Sequence, residues 1–326
     1  MKAIVYTKYG PPEVAQLKEI EKPLPKNNEV LIKVHATTVN RTDCGFRSAN
    51  YFIIRFFNGL VTPKNKTLGN EFAGEIEAIG RDVISFKPGD KVFGYNDTKF
   101  GAHAEYMIMA EKDAITTMPK NISFEEAAPI TEGAHYALCD LRAAKINSGQ
   151  KILINGATGA IGSAAVQLAK YFGAEVTAVC NTKNVALVKS LGADEVIDYT
   201  QQDFTTLHKE FDIVFDAVGK SSFKRCKAIL KKRGIYMSTE LGYMSQNPFL
   251  ALVTPLTGGR KVLFPIPTIN KKDILFLKEL VETKKFKPVI DRTYSLEQIV
   301  QAYTYVESGQ KTGNVVIKVA NTIIAG

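Results

Sequence analysis

The sequence predicts an α/β protein in which a doubly wound parallel sheet interrupts a β-rich, partly closed barrel. Three observations predict it. Short strands with frequent Gly and Pro punctuation fill the first ~120 residues. Strands and helices then alternate from about residue 123, the pattern of a parallel sheet with crossover helices. At the centre of that alternation, Lys151-Ile152-Leu153-Ile154-Asn155 runs into Gly156-Ala157-Thr158-Gly159-Ala160-Ile161-Gly162 and then into the small-residue helix Ala164–Ala169.

In chain order, Met1–Tyr6 reads directly as a first strand, so no signal peptide is expected. Glu29–Val34 and Ala73–Gly80 are further strands, and Ser85–Gly94 is a turn leading into a third. Ser123 caps a helix opened by Phe124-Glu125-Glu126, with Glu126 closing a capping box. The parallel strands are read at 151–155, 175–180, 195–198, 212–216, 235–238 and 261–264. The tail holds helices near 271–284 and 295–308 and a last strand at 314–319. The implied division is 1–122, 123–265 and 266–326, the middle part inserted between two pieces of the β-rich domain.

The glycine turn is the most informative feature. Backbone N–H groups at a helix start face a pyrophosphate, and missing side chains let it approach. The strand before, the helix after and the second strand Glu175–Cys180 supply the context that separates this motif from an ordinary tight turn. NAD-selective folds place Asp or Glu at the end of that second strand. This chain has Cys180-Asn181-Thr182-Lys183-Asn184 there, a set that suits a 2′-phosphate, so the cofactor expected is NADPH. Lys183 as a merely solvated first-turn lysine is the alternative.

Composition excludes several other classes. At 326 residues, with 45% hydrophobic and 23% charged residues, the chain is a two-domain globular protein rather than a disordered or fibrous one. Cys44, Cys139, Cys180 and Cys226 are scattered, which fits a reducing, cytoplasmic setting rather than a disulfide scaffold. The net charge of +9 is dispersed and lacks basic-aromatic motifs, so no specific nucleic-acid partner is expected. Two uncharged stretches, 152–169 and 241–259, are broken by polar residues or prolines, so no membrane span is expected. The second stretch still carries Phe249, Leu250, Leu252, Val253 and Leu256, a surface for an apolar ligand or a partner.

Taken jointly, several motifs carry a resemblance over essentially the whole chain. They are Val39-Asn40-Arg41-Thr42-Asp43, Leu68-Gly69-Asn70-Glu71-Phe72-Ala73-Gly74, Phe86-Lys87-Pro88-Gly89-Asp90-Lys91-Val92-Phe93-Gly94 and Leu191-Gly192-Ala193-Asp194-Glu195-Val196-Ile197-Asp198-Tyr199. The sequence resembles the medium-chain dehydrogenase/reductase superfamily. That implies a GroES-like β-barrel catalytic domain plus a Rossmann domain, an active site in the cleft between them, and a homodimer formed through the Rossmann domain.

Zinc-dependent members of that superfamily place a Cys ligand shortly before the Asp43 position and a His in the Gly69-Asn70-Glu71 segment. Here the candidates are Asn40, Arg41, Thr42 and Asn70, and no Cys stands near Ala127-Ala128-Pro129 for a third ligand. Cys44 with His35 or His103 is a weak substitute set, so no metal is expected. The pattern resembles the zinc-free quinone oxidoreductase branch, similar to zeta-crystallin. There Asn40, Asp43 and Tyr51 match positions at the cleft, with Asn40 and Tyr51 as donors to a carbonyl oxygen. The competing readings are a turn-capping amide for Asn40, a cleft-wall aromatic for Tyr51 and a structural Asp43–Arg47 pair.

By the same resemblance Thr131 would touch the nicotinamide side, and Thr158, Gly159, Ala160 and Ile161 the pyrophosphate. Asn181 and Lys183 would hold the 2′-phosphate, with Tyr199 at the adenine end. Ala217, Val218 and Gly219 would lie against adenosine, and Leu241, Gly242 and Phe264 would flank the nicotinamide. The run Ile130-Thr131-Glu132-Gly133-Ala134-His135 departs from the family pattern and puts an acid and a histidine near the cofactor. The function implied is an NADPH-dependent reductase of quinones or α,β-unsaturated carbonyls. The rivals are a metal-free carbonyl or alcohol dehydrogenase, and a non-catalytic NADPH-binding sensor, crystallin-like or RNA-binding protein.

Overall fold

In the computed structural model, which describes residues 1–319, the chain divides into two compact units. The first comprises Met1–Glu132, Ile269–Thr283 and the chain from Pro288 onward; the second is Gly133–Thr268 with Lys284–Lys287. The boundary therefore falls at Glu132 rather than at the expected 122.

The first unit begins with β1 (Lys2–Val5) and β2 (Gln16–Glu19), an antiparallel pair, followed by the long β3 (Glu29–Val39). Next come α1 (Arg41–Ser48), α2 (Ile53–Asn58), β4 (Glu71–Ile79), β5 (Lys91–Tyr95), β6 (Tyr106–Ala110), β7 (Ile115–Thr117) and α3 (Phe124–Ala127). The second unit contains α4 (Glu132–Ala143) from its second residue on, then β8 (Lys151–Asn155), α5 (Ala160–Tyr171), β9 (Glu175–Cys180) and α6 (Val185–Ser190). It continues through β10 (Glu195–Asp198), β11 (Phe211–Asp216), α7 (Phe223–Cys226), β12 (Leu230–Ser238), α8 (Gln246–Val253) and β13 (Lys261–Leu263). The chain then returns to the first unit with α9 (Lys271–Glu282), β14 (Ile290–Ser295), α10 (Ile299–Glu307) and β15 (Asn314–Lys318).

The first unit's sheet has seven strands in the order β14-β15-β3-β4-β5-β7, with β6 also on β3. Strand β3 takes β4 along its length, β6 against Glu29–Lys33 and β15 against Ala36–Val39. Register shifts at Leu31/Ile32 and Val34/Ala36 bend β3 between those partners, so the sheet curls. Capping boxes start the helices: Asn40 with Asp43 on α1, Ser123 with Glu126 on α3 and Asn270 with Asp273 on α9. A core of Ile4, Tyr6, Leu68, Phe100, Tyr303 and Ile317 packs α10 against β15.

The second unit is a parallel sheet in the order β10-β9-β8-β11-β12-β13. Strand β8 is buried at four of its five residues, as a central strand covered on both faces must be. The chain order reverses between β8 and β11, and dinucleotides bind at the carboxyl end of such a switch point. Among the described residues no helix is long and apolar enough to cross a membrane.

Candidate active site and cofactor cradle

In the second unit, β8 ends at Asn155 and the chain turns sharply through Gly156, whose φ is +80°. A Cβ there would meet Val218 Cγ1 at 2.3 Å, so only glycine lets the 217–219 turn close over it. The N–H groups of Gly156 and Ala157 both donate to the Val179 carbonyl and pin the turn to β9. Gly159 is the N-cap of α5, in extended conformation and without a side-chain cap. A Cβ on Gly159 would have no neighbour closer than 3.8 Å, which leaves the space before the helix open. The first-turn N–H groups of α5, at Ala160 and Ile161, face that space with Thr158 beside them; a pyrophosphate fits there.

Asp216 organises the facing turn. Its buried carboxylate accepts from Asn155 Nδ2 (3.0 Å), Val218 N (3.3 Å), Lys220 N (3.3 Å) and Ser221 N (2.7 Å). Ala217, Val218 and Gly219 are thereby set beside the glycine turn, Val218 directly over Gly156. Leu241 and Gly242 follow β12 and Phe264 follows β13, so all three lie at carboxyl ends of the same parallel strands.

At the end of β9, Asn181 is extended and accepts from Asn184 Nδ2 at 2.8 Å, while Lys183 is exposed. Tyr199 donates its backbone N–H to the Cys180 carbonyl and leaves its ring half exposed. One carboxylate here escaped the sequence reading. Asp198, paired in register with Cys180 from the neighbouring β10, accepts from Thr182 Oγ1 at 2.6 Å and from Thr200. Those hydroxyl and backbone donors hold its carboxyl below the usual carboxylate range.

The first unit carries the candidate reacting groups. Asn40 is buried; its Oδ1 accepts from Asp43 N at 3.0 Å and its Nδ2 donates to Asn70 Oδ1 at 2.6 Å. Asn70 Nδ2 in turn faces the Tyr95 hydroxyl at 3.4 Å. Asn40 is thus a capping amide in this structure, with one amide N–H left beyond the Asn70 bond. Asp43 is fully buried and accepts from Gly69 N (3.0 Å) and Asn40 N (3.2 Å), tying α1 to the loop before β4. Burial pushes its carboxyl up to about 7.

The expected Asp43–Arg47 pair is not formed. Asp43 is consumed by the cap, and the buried Arg47 guanidinium instead reaches the Gly10 carbonyl and Glu307, with its carbon 4.9 Å from the Tyr303 ring centre. Tyr51 is 52% exposed and begins an apolar surface run with Phe52, Ile53, Phe56 and Phe57.

Thr131 is buried and donates its hydroxyl to Glu71 Oε2 at 2.8 Å. The same carboxyl accepts from Glu132 N (2.7 Å) and, at Oε1, from Thr38 (2.6 Å). Burial raises Glu71 to about 7 against those donors, and raises Glu132 as well, with Glu71 adding repulsion. Lys311 is pushed down by burial while Glu132 pulls it back. This acidic cluster was foreshadowed only by the Glu132 departure from the family pattern.

Three of the four histidines lie against packed neighbours. His103 Nε2 lies 2.7 Å from the Thr38 carbonyl and burial lowers its ring to about 4; His35 stacks on Phe124 at 4.2 Å. His135 is buried beside Tyr136, and Cys44 sits in the apolar core with its thiol raised by burial. Among the described residues no group of three or more His, Cys, Asp or Glu side chains could hold a metal ion.

Two family profiles match the chain: an alcohol dehydrogenase GroES-like domain over residues 26–120 and a zinc-binding dehydrogenase over residues 191–317. A 2-methylene-furan-3-one reductase from Solanum lycopersicum is 36% identical, the alignment covering 97% of this chain and 79% of that protein. An NADPH-dependent alkenal/one oxidoreductase, chloroplastic, from Arabidopsis thaliana is 32% identical over the same shares. The structure of the quinone oxidoreductase from Coxiella burnetii superposes with a TM-score of 0.87 at 30% identity, covering 98% of this chain and 99% of that one. This chain belongs to the medium-chain dehydrogenase/reductase superfamily, in its quinone oxidoreductase branch. It is an oxidoreductase built from a GroES-like domain and a Rossmann domain. One profile is named for zinc binding, yet in this family member two carboxamides, Asn40 and Asn70, bond to each other beside Asp43. Amides are poor zinc ligands.

Proposed function

We propose that this chain is an NADPH-dependent, zinc-independent reductase of α,β-unsaturated carbonyls or quinones. The observation that carries this reading is the Asn40–Asn70 amide pair, in a chain whose relatives are named as enone and quinone reductases. The bound dihydronicotinamide supplies the hydride, and the remaining work falls to side chains. Asn40 uses its second amide N–H to polarise the acceptor oxygen, in place of a metal. Tyr51 offers a phenol for the proton that follows. Asp43 is a positioning residue that fixes Asn40 through the helix cap.

Thr158, Gly159, Ala160 and Ile161 receive the pyrophosphate, Asn181 and Lys183 the 2′-phosphate, and Tyr199, Ala217, Val218 and Gly219 the adenosine. Thr131, Leu241, Gly242 and Phe264 flank the nicotinamide. Lys183→Glu is expected to raise the KM for NADPH roughly tenfold and leave that for NADH little changed, through loss of a charge-assisted contact. Equal changes for both cofactors would remove Lys183 from the phosphate site.

A homodimer belongs to the same proposal: β13 is an edge strand, and Phe249, Leu252 and Leu256 beside it are exposed. Cytoplasmic residence rests on four free cysteines.

The test is NADPH oxidation against a panel of quinones, enones and enals, with chelator and NADH controls. Chelator-resistant turnover yielding a saturated ketone from an enone is expected. An allylic alcohol would favour the carbonyl-reductase rival, and tight NADPH binding without turnover the sensor reading.

A further inference from the structure

In the first unit, α2 and the turn after it present an apolar run to solvent. Phe52, Ile53, Phe56, Phe57, Leu60 and Val61 are between 54% and 81% exposed. Scattered single apolar residues are normal on a surface, but a contiguous set of this kind marks a place that meets something else. The segment is held in this exposed form by buried anchors. Asn58 is fully buried: its Nδ2 donates to the Tyr6 hydroxyl at 2.8 Å, and its Oδ1 accepts from Asn65 N at 3.1 Å. The Asn58 carbonyl accepts from Lys64 N at 2.6 Å, which closes the loop on itself. Gly59 has a φ of +112°, and a Cβ there would meet the Thr62 carbonyl oxygen at 2.2 Å. Its own carbonyl accepts from the Tyr9 hydroxyl at 2.7 Å. The polar side chain turns inward and the apolar ones outward, so their exposure is a property of the fold.

The charges around the loop limit what can cover it. Between Asp43 and Glu71 the chain contains no Asp or Glu, while Arg55, Lys64 and Lys66 fall within or directly after the apolar run. Lys64 and Lys66 are exposed. Arg55 lies 4.8 Å over the Tyr9 ring and donates to the Leu60 carbonyl at 3.3 Å, and exposed Lys8 adjoins Tyr9. Asn65 Nδ2 reaches the Thr98 carbonyl at 3.2 Å, a contact that brings one acid, Asp97, and a further cation, Lys99, which also faces Glu29 at 3.6 Å. The surroundings are thus cationic. Side chains as exposed as Phe57 and Val61 project singly, and projecting aromatic and aliphatic groups ringed by Lys and Arg suit the boundary between acyl chains and anionic headgroups.

We propose that residues 52–61 form a membrane-docking loop by which this chain binds the surface of an anionic bilayer. Phe56, Phe57, Leu60 and Val61 enter the headgroup–acyl boundary to a depth of about 5–10 Å, and Lys64 and Lys66 lie against acidic headgroups. The pre-formed loop pays little ordering entropy on docking. The inference does not depend on the reductase reading.

The test is co-sedimentation of the purified full chain with vesicles of phosphatidylcholine alone and of phosphatidylcholine with phosphatidylserine in about a 3:1 ratio. Wild-type protein is expected to bind the anionic vesicles roughly tenfold more tightly than the neutral ones, and less tightly at high salt. Lys64→Glu with Lys66→Glu is expected to weaken binding to the anionic vesicles roughly tenfold or more. Phe57→Ser with Val61→Ser, both at exposed positions, is expected to weaken it at least tenfold. The chain contains no Trp, so a single introduced one reports its own surroundings. With the anionic vesicles, Phe57→Trp is expected to shift its emission to the blue and to be quenched by a brominated phosphatidylcholine. Ile84→Trp, at a site 91% exposed past the opposite end of β4, is expected to show neither change. Wild-type protein that stays in the supernatant with both vesicles overturns the proposal. So does binding that survives the Phe57→Ser, Val61→Ser change, because attraction through net charge alone would then suffice. A Phe57→Trp emission that moves to the blue with rising protein concentration, without vesicles, would give the loop to a second copy of the chain instead.

Discussion

Gly162→Ala is expected to weaken NADPH binding at least tenfold and to lower the stability of the second unit by about 1–3 kcal/mol. The added Cβ would lie 2.1 Å from the Gly156 carbonyl oxygen, 2.8 Å from its carbon and 2.9 Å from Ala157 Cα. All three are backbone atoms, so no rotamer change relieves the clash. Alanine gains about 1 kcal/mol of helix propensity over glycine, which the overpacking outweighs. Relief requires α5 to move away from the end of β8, and that displaces the N–H groups the pyrophosphate needs. Gly159→Ala separates folding from binding, because its φ is −70° and its methyl would meet only open space. That variant should keep the wild-type Tm and lose affinity. Thermal unfolding and NADPH fluorescence titration read both effects. An unchanged Tm and affinity for Gly162→Ala would mean that the helix start is looser than its contacts show.

The second unit was largely legible because its signals are local. Apolar runs bounded by glycine turns, with a helix-period pattern between them, place β8 through β13 within a few residues. The unit boundary was not legible for the opposite reason. The change from strand to helix pattern near residue 123 looks like a change of domain, but α3 and the turn after it pack on β3 and β4 of the first unit. Which body a helix joins depends on the surface that buries it, and a periodicity does not carry that. The division of β3 between β6 and β15 is likewise a matter of register over long separations.

The site divides along the same line. The glycine cradle and the 217–219 turn follow from chain order. Asp43 and Arg47 have the spacing of a helical ion pair, yet capping takes Asp43, and Arg47 reaches a residue 260 positions away. Asp198 enters the cofactor edge from the neighbouring strand, which a reading confined to the end of β9 misses.

Glu71→Gln is expected to reverse part of the pH dependence of stability. Glu71 has an ordinary value of 4.5 and is held at about 7 by burial. Between those values the unfolded chain has released the proton and the folded protein still binds it, so stability falls as pH rises. The contribution is complete below about 4.5 and lost above about 7, and the interval corresponds to about 3 kcal/mol. Asp43, raised from 3.8 to about 7, acts in the same direction. His103, lowered from 6.5 to about 4, acts in the opposite one, because its contribution is lost as pH falls. Wild-type stability therefore mixes opposing slopes, and the variant isolates one of them. Glutamine can keep the acceptor for Thr131 and the Glu132 N–H while its amide nitrogen donates to the Thr38 hydroxyl. Removing the Glu71 charge also relieves Glu132 at high pH, which adds to the same sign. Urea denaturation at about pH 5 and about pH 8 should show the variant gaining about 3 kcal/mol on wild type across the interval. A constant offset at both pH values would mean that the Glu71 carboxyl ionises in the folded protein as it does in water, and that the cluster with Thr131 and Glu132 is solvated.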